Sequence, residues 1–215
     1  MIGYWILLLI TAFFAYCFGS ISTLSIASFF VFHRDLHRIG KKSMFLSNFR
    51  RLYGWKGALK LLGVELVRDL IPILIGSLLL SFKGHADIGR AFAGFCLVLG
   101  RLFPCFNRFR GSCASMCLIV SMFCINLSLG IATAVAVLAV TWFSRYLAAG
   151  AIAGALTSIL VTVLVVDDNL LRMLLILTAG IVLVKNLPAI RRIANKTEMR
   201  MSLEEDISYK FDETF

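Results

Sequence analysis

Long apolar runs separated by short polar breaks dominate this chain. The first occupies residues 4–32 and is almost free of charge. The stretch HRDLHRIGKKSMFLSNFRRLYGWK follows and carries seven Lys/Arg. A second apolar run, residues 58–82, includes Lys60, Glu65, Arg68 and Asp69. A third covers residues 91–106 and ends at NRFRGS. Apolar sequence resumes over residues 114–166, far too long for one membrane crossing, which takes about 20 residues. Gly130 and the Arg145-Tyr146 pair are expected to divide it into three pieces. Asp167-Asp168-Asn169 marks a turn, and residues 170–184 form a last run. Residues from 185 onward are polar, first basic and then acidic from Glu204. The pattern predicts an all-α integral membrane fold, a compact bundle of about seven transmembrane helices. Helices are the expected form because an unpaired strand leaves its backbone unsatisfied in lipid. One membrane domain is expected over residues 1–200, with a polar acidic cytoplasmic tail over 201–215.

Composition strengthens this reading. The chain has 215 residues, 60% of them hydrophobic and 16% charged. Soluble domains average about 25% charged. The neutral start and the length of the first run argue for a retained span rather than a cleaved signal peptide.

The net charge of +10 is read as topology, not nucleic-acid binding. Lys and Arg concentrate in the first, third and fifth loops and in the tail. Loops two, four and six hold only Lys83, Arg90 and Arg172. The positive-inside rule then puts the amino terminus outside and the carboxyl terminus in the cytoplasm. The six cysteines lie in or beside apolar runs without a ligand-type spacing, so they read as small buried hydrophobes rather than a metal site. Cys113 and Cys117 are four apart, on one face if that segment is helical.

Three places carry polar chemistry. In the second run, Glu65, Arg68 and Asp69 fall at i, i+3 and i+4, one helical face. For a helix entering near Ala58, Asp69 is roughly 16 Å along it at ~1.5 Å per residue. An ionised group at that depth requires a partner, so the face is expected to turn into the bundle. The alternative is an interfacial helix over residues 54–69. In the third loop, Arg101, Arg108 and Arg110 lead into Gly111-Ser112-Cys113. A glycine turn opening a helix beside arginines is a recognised anion geometry, although boundary arginines more often serve as anchors. The basic stretch KNLPAIRRIANKTEMRM suits an anionic lipid surface. A positive mouth formed by these stretches suits a ligand with a phosphate head and an acyl tail.

Over residues 15–200 the chain resembles the bacterial membrane glycerol-3-phosphate acyltransferases that use acyl phosphate as donor. The family's Tyr-x-x-Gly-Ser-Ile is present as Tyr16, Gly19, Ser20 and Ile21. Its Asp-Leu-Arg-x-x-Gly is Asp35, Leu36, His37 and Gly40, and its Gly-His-x-Phe-Pro is Gly100, Arg101, Phe103 and Pro104. Its Thr-Arg-Tyr is Ser144, Arg145 and Tyr146, and its carboxyl-terminal ending is matched loosely by Arg192, Ile193, Thr197 and Glu198.

The departures fall on the family's working residues. Its Ser-Gly-Asn-x-Gly-x-Thr-Asn motif reads here Lys41-Lys42-Ser43-Met44-Phe45-Leu46-Ser47-Asn48, with the following arginine kept as Arg51. Its Lys-Gly-Gly-Lys-Gly motif reads Arg110-Gly111-Ser112-Cys113-Ala114. The histidine of Gly-His is Arg101, and the His and Asn of the third motif fall on Asn186 and Ala189. The second-span Asp-x-x-Lys is Glu65 and Arg68. Phe45 cannot replace a glycine whose backbone approaches an anion or takes positive φ. His33 and His37 are nearby imidazoles in the same loop, although a lone boundary histidine is more often structural.

The resemblance implies transfer of an acyl group from acyl phosphate to glycerol 3-phosphate, giving lysophosphatidate for phospholipid synthesis. No cofactor or metal is implied, because acyl phosphate is already activated. The partners are those two substrates and membrane lipid, with no nucleic acid. The implied phosphate-binding residues are Lys41, Lys42, Ser43, Ser47, Asn48, Arg51, Arg101, Arg110, Gly111, Ser112, Asn186 and Arg192; no catalytic residue is assigned. The implied location is the bacterial plasma membrane. The alternative is a catalytically degenerate paralogue that binds lipid or a partner protein.

Overall fold

A computed structural model describes residues 2–27, 29, 46–107, 111 and 113–195, and among them every regular element is helical. The helices are α1 (Ile2–Ser20), the short α2 (Thr23–Ala27), α3 (Leu46–Ser81), α4 (Ala86–Leu102), α5 (Ser115–Ile125), α6 (Leu127–Ser144), α7 (Leu147–Val165) and α8 (Asn169–Ala194). A 3₁₀ turn occupies Cys105–Asn107. Four of the helices, α1, α6, α7 and α8, are long and apolar enough to cross a membrane. Their outer faces carry large apolar side chains such as Phe13, Leu138, Phe143 and Leu164. Such faces are stable only against lipid or another apolar surface.

α4 is the hub and packs against α1, α3, α5 and α8. Its small residues explain this. A Cβ on Gly100 would lie 2.3 Å from the Tyr16 carbonyl oxygen, and one on Gly19 would lie 2.3 Å from the Leu97 carbonyl oxygen. Backbone meets backbone at this crossing, as small residues allow in membrane bundles. Nearer the α3–α4 turn, Gly76 and Gly89 make a second close crossing. Around these contacts the core closes through Ile73, Leu97, Leu102, Leu118, Met122, Leu129, Leu175 and Val182.

α3 has 36 residues. At ~1.5 Å per residue it is about 54 Å long, against a hydrocarbon core of about 30 Å. Pro72 lies inside it. Lacking an N–H, it leaves the Arg68 carbonyl without its usual i+4 donor.

Several boundaries differ from those expected. α1 ends at Ser20, well before residue 32. α3 begins at Leu46 rather than near Ala58, and α8 continues through the first part of the basic tail to Ala194. Gly130 does not break the 114–166 run. It lies inside α6, where a Cβ would meet the Phe123 ring at 2.3 Å, so its smallness seats α6 against α5. The break falls at Asn126, which is extended (φ −150°, ψ 134°) and whose side chain accepts from the Ser128 N–H at 2.9 Å. Arg90 closes the other side of this break by donating to the Cys124 carbonyl at 2.9 Å, near the end of α5. Removing an N-cap side chain costs about 1 kcal/mol. Asn126→Ala is therefore expected to lower stability by about that amount, measured by thermal unfolding in detergent; no change would mean water caps α6 equally well.

The expected Arg145-Tyr146 break is present, with Arg145 in the left-handed region at φ 61°. At the Asp167–Asn169 turn, Asp168 caps α8 by accepting from Leu170 N at 2.8 Å and Leu171 N at 3.4 Å. Arg172 donates twice to the Val166 carbonyl, at 2.8 and 2.6 Å, closing the end of α7.

Candidate functional site

Arg101 is the sequence-predicted cation that the fold places most clearly. It lies in the last turn of α4, not in the following loop. The Gly19–Gly100 crossing brings it beside the turn that joins α1 to α2. Tyr16 and Ser20 reinforce that placement. The Tyr16 hydroxyl donates to the Phe103 carbonyl at 2.7 Å, and the Ser20 hydroxyl reaches the Gly100 carbonyl at 3.5 Å. The Tyr-x-x-Gly-Ser motif is thus a clamp on the end of α4.

Around Arg101 the helices gather a charged cluster, part-buried at Arg101 and Glu65 and buried at Arg68 and Asp69. Arg101 pairs through Nη2 with Glu65 of α3 and donates through Nη1 to Thr23 Oγ1 at 2.9 Å. One turn along α3, Arg68 and Asp69 are 3% and 0% exposed. Arg68 pairs with Asp69, its Nε donating to Oδ1 at 2.9 Å. Its Nη1 donates to the Ile21 carbonyl at 3.0 Å and to Thr23 Oγ1 at 2.9 Å, and its Nη2 points at Cys117 Sγ, 3.5 Å away. Two acids and two arginines balance in formal charge, as a lipid-embedded cluster requires. The α3 face turns inward and its charges are paired, as expected: Glu65 reaches across to Arg101 of α4, and Arg68 takes its sequence neighbour Asp69.

Two polar atoms in this cluster are buried without a hydrogen-bond partner among the described residues, Arg101 Nε and Asp69 Oδ2. Thr23 is also distinctive, because one hydroxyl oxygen accepts from both arginines. Sequence reasoning named Arg101 as a phosphate ligand and singled out Glu65 and Arg68 separately, but missed Thr23 and the link between these groups. The available signal was the glycine pair at positions 19 and 100, which sets α4 against the α1–α2 turn.

The other predicted residues divide by position. Lys41, Lys42, Ser43, Arg110 and Ser112 lie outside the described residues, as do His33, His37 and the acidic tail. Ser47, Asn48 and Arg51 fall in the first two turns of α3, where the description covers the backbone. The expected meeting of Arg51, Arg110 and Arg192 therefore also lies outside what is described. Gly111 packs onto the end of α4, where a Cβ would stand 2.2 Å from the Leu102 carbonyl oxygen and 2.4 Å from that of Arg101. Its lack of a side chain lets the chain fold back over that end.

Asn186 is buried and donates to the Val182 carbonyl of its own helix at 2.8 Å. Its neighbour Lys185 sits over the Phe103 ring, 4.3 Å from the centroid, which brings this part of α8 to the same end of the bundle as Arg101. Arg192 is exposed one to two turns further on. Cys113 and Cys117 do not share a helix face, because α5 starts only at Ser115. Burial pushes the Cys113 thiol up from its ordinary range, which keeps it protonated and weakly nucleophilic. Among the described residues no group of His, Cys, Asp or Glu is arranged to hold a metal ion.

The family model for glycerol-3-phosphate acyltransferase matches residues 9–196. The chain belongs to that family. Glycerol-3-phosphate acyltransferase of Thermoanaerobacter sp. (strain X514) is 22% identical over 198 residues, covering 92% of this chain and 98% of the relative. The Paraburkholderia phymatum enzyme of the same name is 30% identical over 148 residues, covering 69% of this chain and 70% of its own. The crystal structure of PlsY, an integral membrane glycerol 3-phosphate acyltransferase, in its glycerol 3-phosphate form superposes with a TM-score of 0.71 at 21% identity. That match covers 91% of this chain and 96% of PlsY. The lysophosphatidic acid form gives 0.69 at 20% identity. The fold is therefore that of an integral membrane glycerol-3-phosphate acyltransferase.

Proposed function

We propose that this protein transfers an acyl group from acyl phosphate to the 1-hydroxyl of glycerol 3-phosphate, releasing lysophosphatidate and phosphate. The family match over residues 9–196 carries this reading. In it the chain is a bacterial plasma-membrane protein with seven spans, its amino terminus outside and its carboxyl terminus in the cytoplasm. Residues 1–200 form the membrane domain and 201–215 its acidic tail. The charge distribution supports that orientation, since the basic first and third loops then share the cytoplasmic side with Lys185, Arg191 and Arg192.

Both substrates carry a phosphate, so the protein's task is to hold two anions and stabilise charge as it develops. Arg101 supplies a cation fixed by Glu65 and Thr23. Lys41, Lys42, Asn48, Arg51, Arg110 and Arg192 add donors from the cytoplasmic segments, and Ser43 or Ser47 hydrogen-bonds near the reacting end. In this reading Gly111, Ser112 and Asn186 are the remaining phosphate ligands. The glycerol hydroxyl attacks the acyl carbon, the C–O bond to phosphate breaks with its electron pair going to the departing phosphate, and the hydroxyl proton ends on that phosphate. Arginines positioned before the reaction lower the barrier, because they stabilise that charge without reorganising.

The test is acyl transfer by purified protein in lipid bilayers. Lysophosphatidate and phosphate should appear together, and Arg51→Ala should slow the reaction about 100-fold, the usual loss when one donor to a developing oxyanion is removed. Product no faster than in the Arg51→Ala control would overturn the reading and leave a paralogue that binds without turnover.

A further inference from the structure

The Thr23 hydroxyl has an incomplete set of partners. A threonine oxygen offers two acceptor positions and one O–H donor. Arg68 Nη1 and Arg101 Nη1 fill both acceptor positions, each at 2.9 Å. The proton must then point in a third direction, and among the described residues nothing accepts it. Thr23 is itself buried, so bulk water does not satisfy it freely. Donation from a hydroxyl that already accepts from two cations is strengthened, because each bond polarises the next.

A second donor lies beside it. Arg101 Nε is buried and without a partner among the described residues, and its guanidinium is hydrogen-bonded directly to Thr23. Thr23 O–H and Arg101 Nε–H are thus two unclaimed donors on directly bonded groups. The unclaimed acceptor of the cluster, Asp69 Oδ2, belongs to the residue beyond Arg68 in the same chain of contacts. The Thr23–Arg101 side is therefore rich in donors, and the ligand complementary to it is an oxyanion.

We propose that Thr23 donates a hydrogen bond to a phosphoryl oxygen of a substrate, its hydroxyl aimed by Arg68 and Arg101. Glu65 and Asp69 are then positioning residues, because they hold the two guanidiniums that orient the hydroxyl. This rests on the transfer reaction proposed above only in naming the substrates. The binding chemistry is that of a phosphate oxygen, whether it comes from acyl phosphate or from glycerol 3-phosphate.

The experiment has two readouts on the full-length protein in detergent or bilayers. The first is the rise in melting temperature with inorganic phosphate, which needs no turnover. Thr23→Val removes the hydroxyl at nearly constant volume and should raise the half-saturating phosphate concentration at least about tenfold, the order expected for one hydrogen bond to a charged group. Thr23→Ser should bring the response back. Where Thr23→Val does not fold, Thr23→Asp takes its place: a carboxylate accepts from both arginines but has no proton to give, so the phosphate response should again be lost. The second readout is kinetic. A rise in KM for one substrate, with kcat little changed, identifies which phosphate Thr23 holds.

A phosphate response that survives in Thr23→Val or Thr23→Asp would overturn the proposal, as would wild-type protein with no phosphate response at all. A Thr23-dependent phosphate response in a protein that transfers no acyl group would leave this site standing and remove the transfer reaction instead.

Discussion

Replacing Arg68 by methionine is expected to cost about 3–5 kcal/mol, the cost of leaving one partner of a buried ion pair alone. Asp69 is fully buried, and Arg68 is its only hydrogen-bonding partner among the described residues. With Arg68 gone, the Asp69 carboxylate would have neither counter-charge nor donor. The Ile21 carbonyl would lose a donor as well, and Thr23 one of its two.

The double variant Arg68→Met with Asp69→Leu should recover much of that loss. Two apolar side chains of similar size suit the same space, and such replacements are often neutral or better. The measurement is a double-mutant cycle by reversible unfolding in micelles or bicelles, with an expected coupling of about 1–3 kcal/mol. Additive single and double effects would mean that the two groups do not depend on each other in the folded protein. The recovered double variant should be stable yet poor in acyl transfer, because Thr23 would then be aimed by Arg101 alone. That separates two roles of the cluster: Asp69 answers the charge of Arg68, and Arg68 holds the turn between α1 and α2.

The parts of this architecture that sequence revealed are those that depend on local pattern. Apolar runs and charged breaks located the long helices, because lipid forces both the length and the internal pairing of each. The inward turn of Glu65, Arg68 and Asp69 followed from helical spacing and the cost of charge at depth. Partner choice is a different problem. That Glu65 takes Arg101 while Arg68 takes Asp69 depends on the height at which α4 crosses α3, which periodicity does not encode.

Gly130 shows the same limit from the other side. A glycine in a long apolar run reads as a breaker, yet here it packs against Phe123, while the polar cap Asn126 ends the helix. Among the predicted ligands, Arg101 was recognisable by its charge next to a glycine. Thr23 carried no charge and no motif, and only the three-dimensional meeting of α2, α3 and α4 gives it two arginines.

That meeting depends on the α1–α4 crossing, and substitutions there should have effects of opposite sign to the same change elsewhere. Gly100→Ala places a methyl 2.3 Å from the Tyr16 carbonyl oxygen, and Gly19→Ala places one 2.3 Å from that of Leu97. Both obstacles are backbone, so no rotamer change relieves them and the helices must separate. Overpacking of this kind costs about 1–3 kcal/mol. Gly63→Ala meets nothing within 4 Å and replaces a helix-interior glycine of α3, so it should raise stability by roughly 0.5–1 kcal/mol. Unfolding in detergent reads all three. Arg101 follows Gly100 directly, so a wider crossing also draws its guanidinium away from Thr23 and Glu65. Gly100→Ala should therefore lose acyl transfer and phosphate response together, even at temperatures where it stays folded, whereas Gly63→Ala should keep both. If Gly100→Ala were as stable and as responsive to phosphate as the parent, the close crossing would not be what positions the cluster.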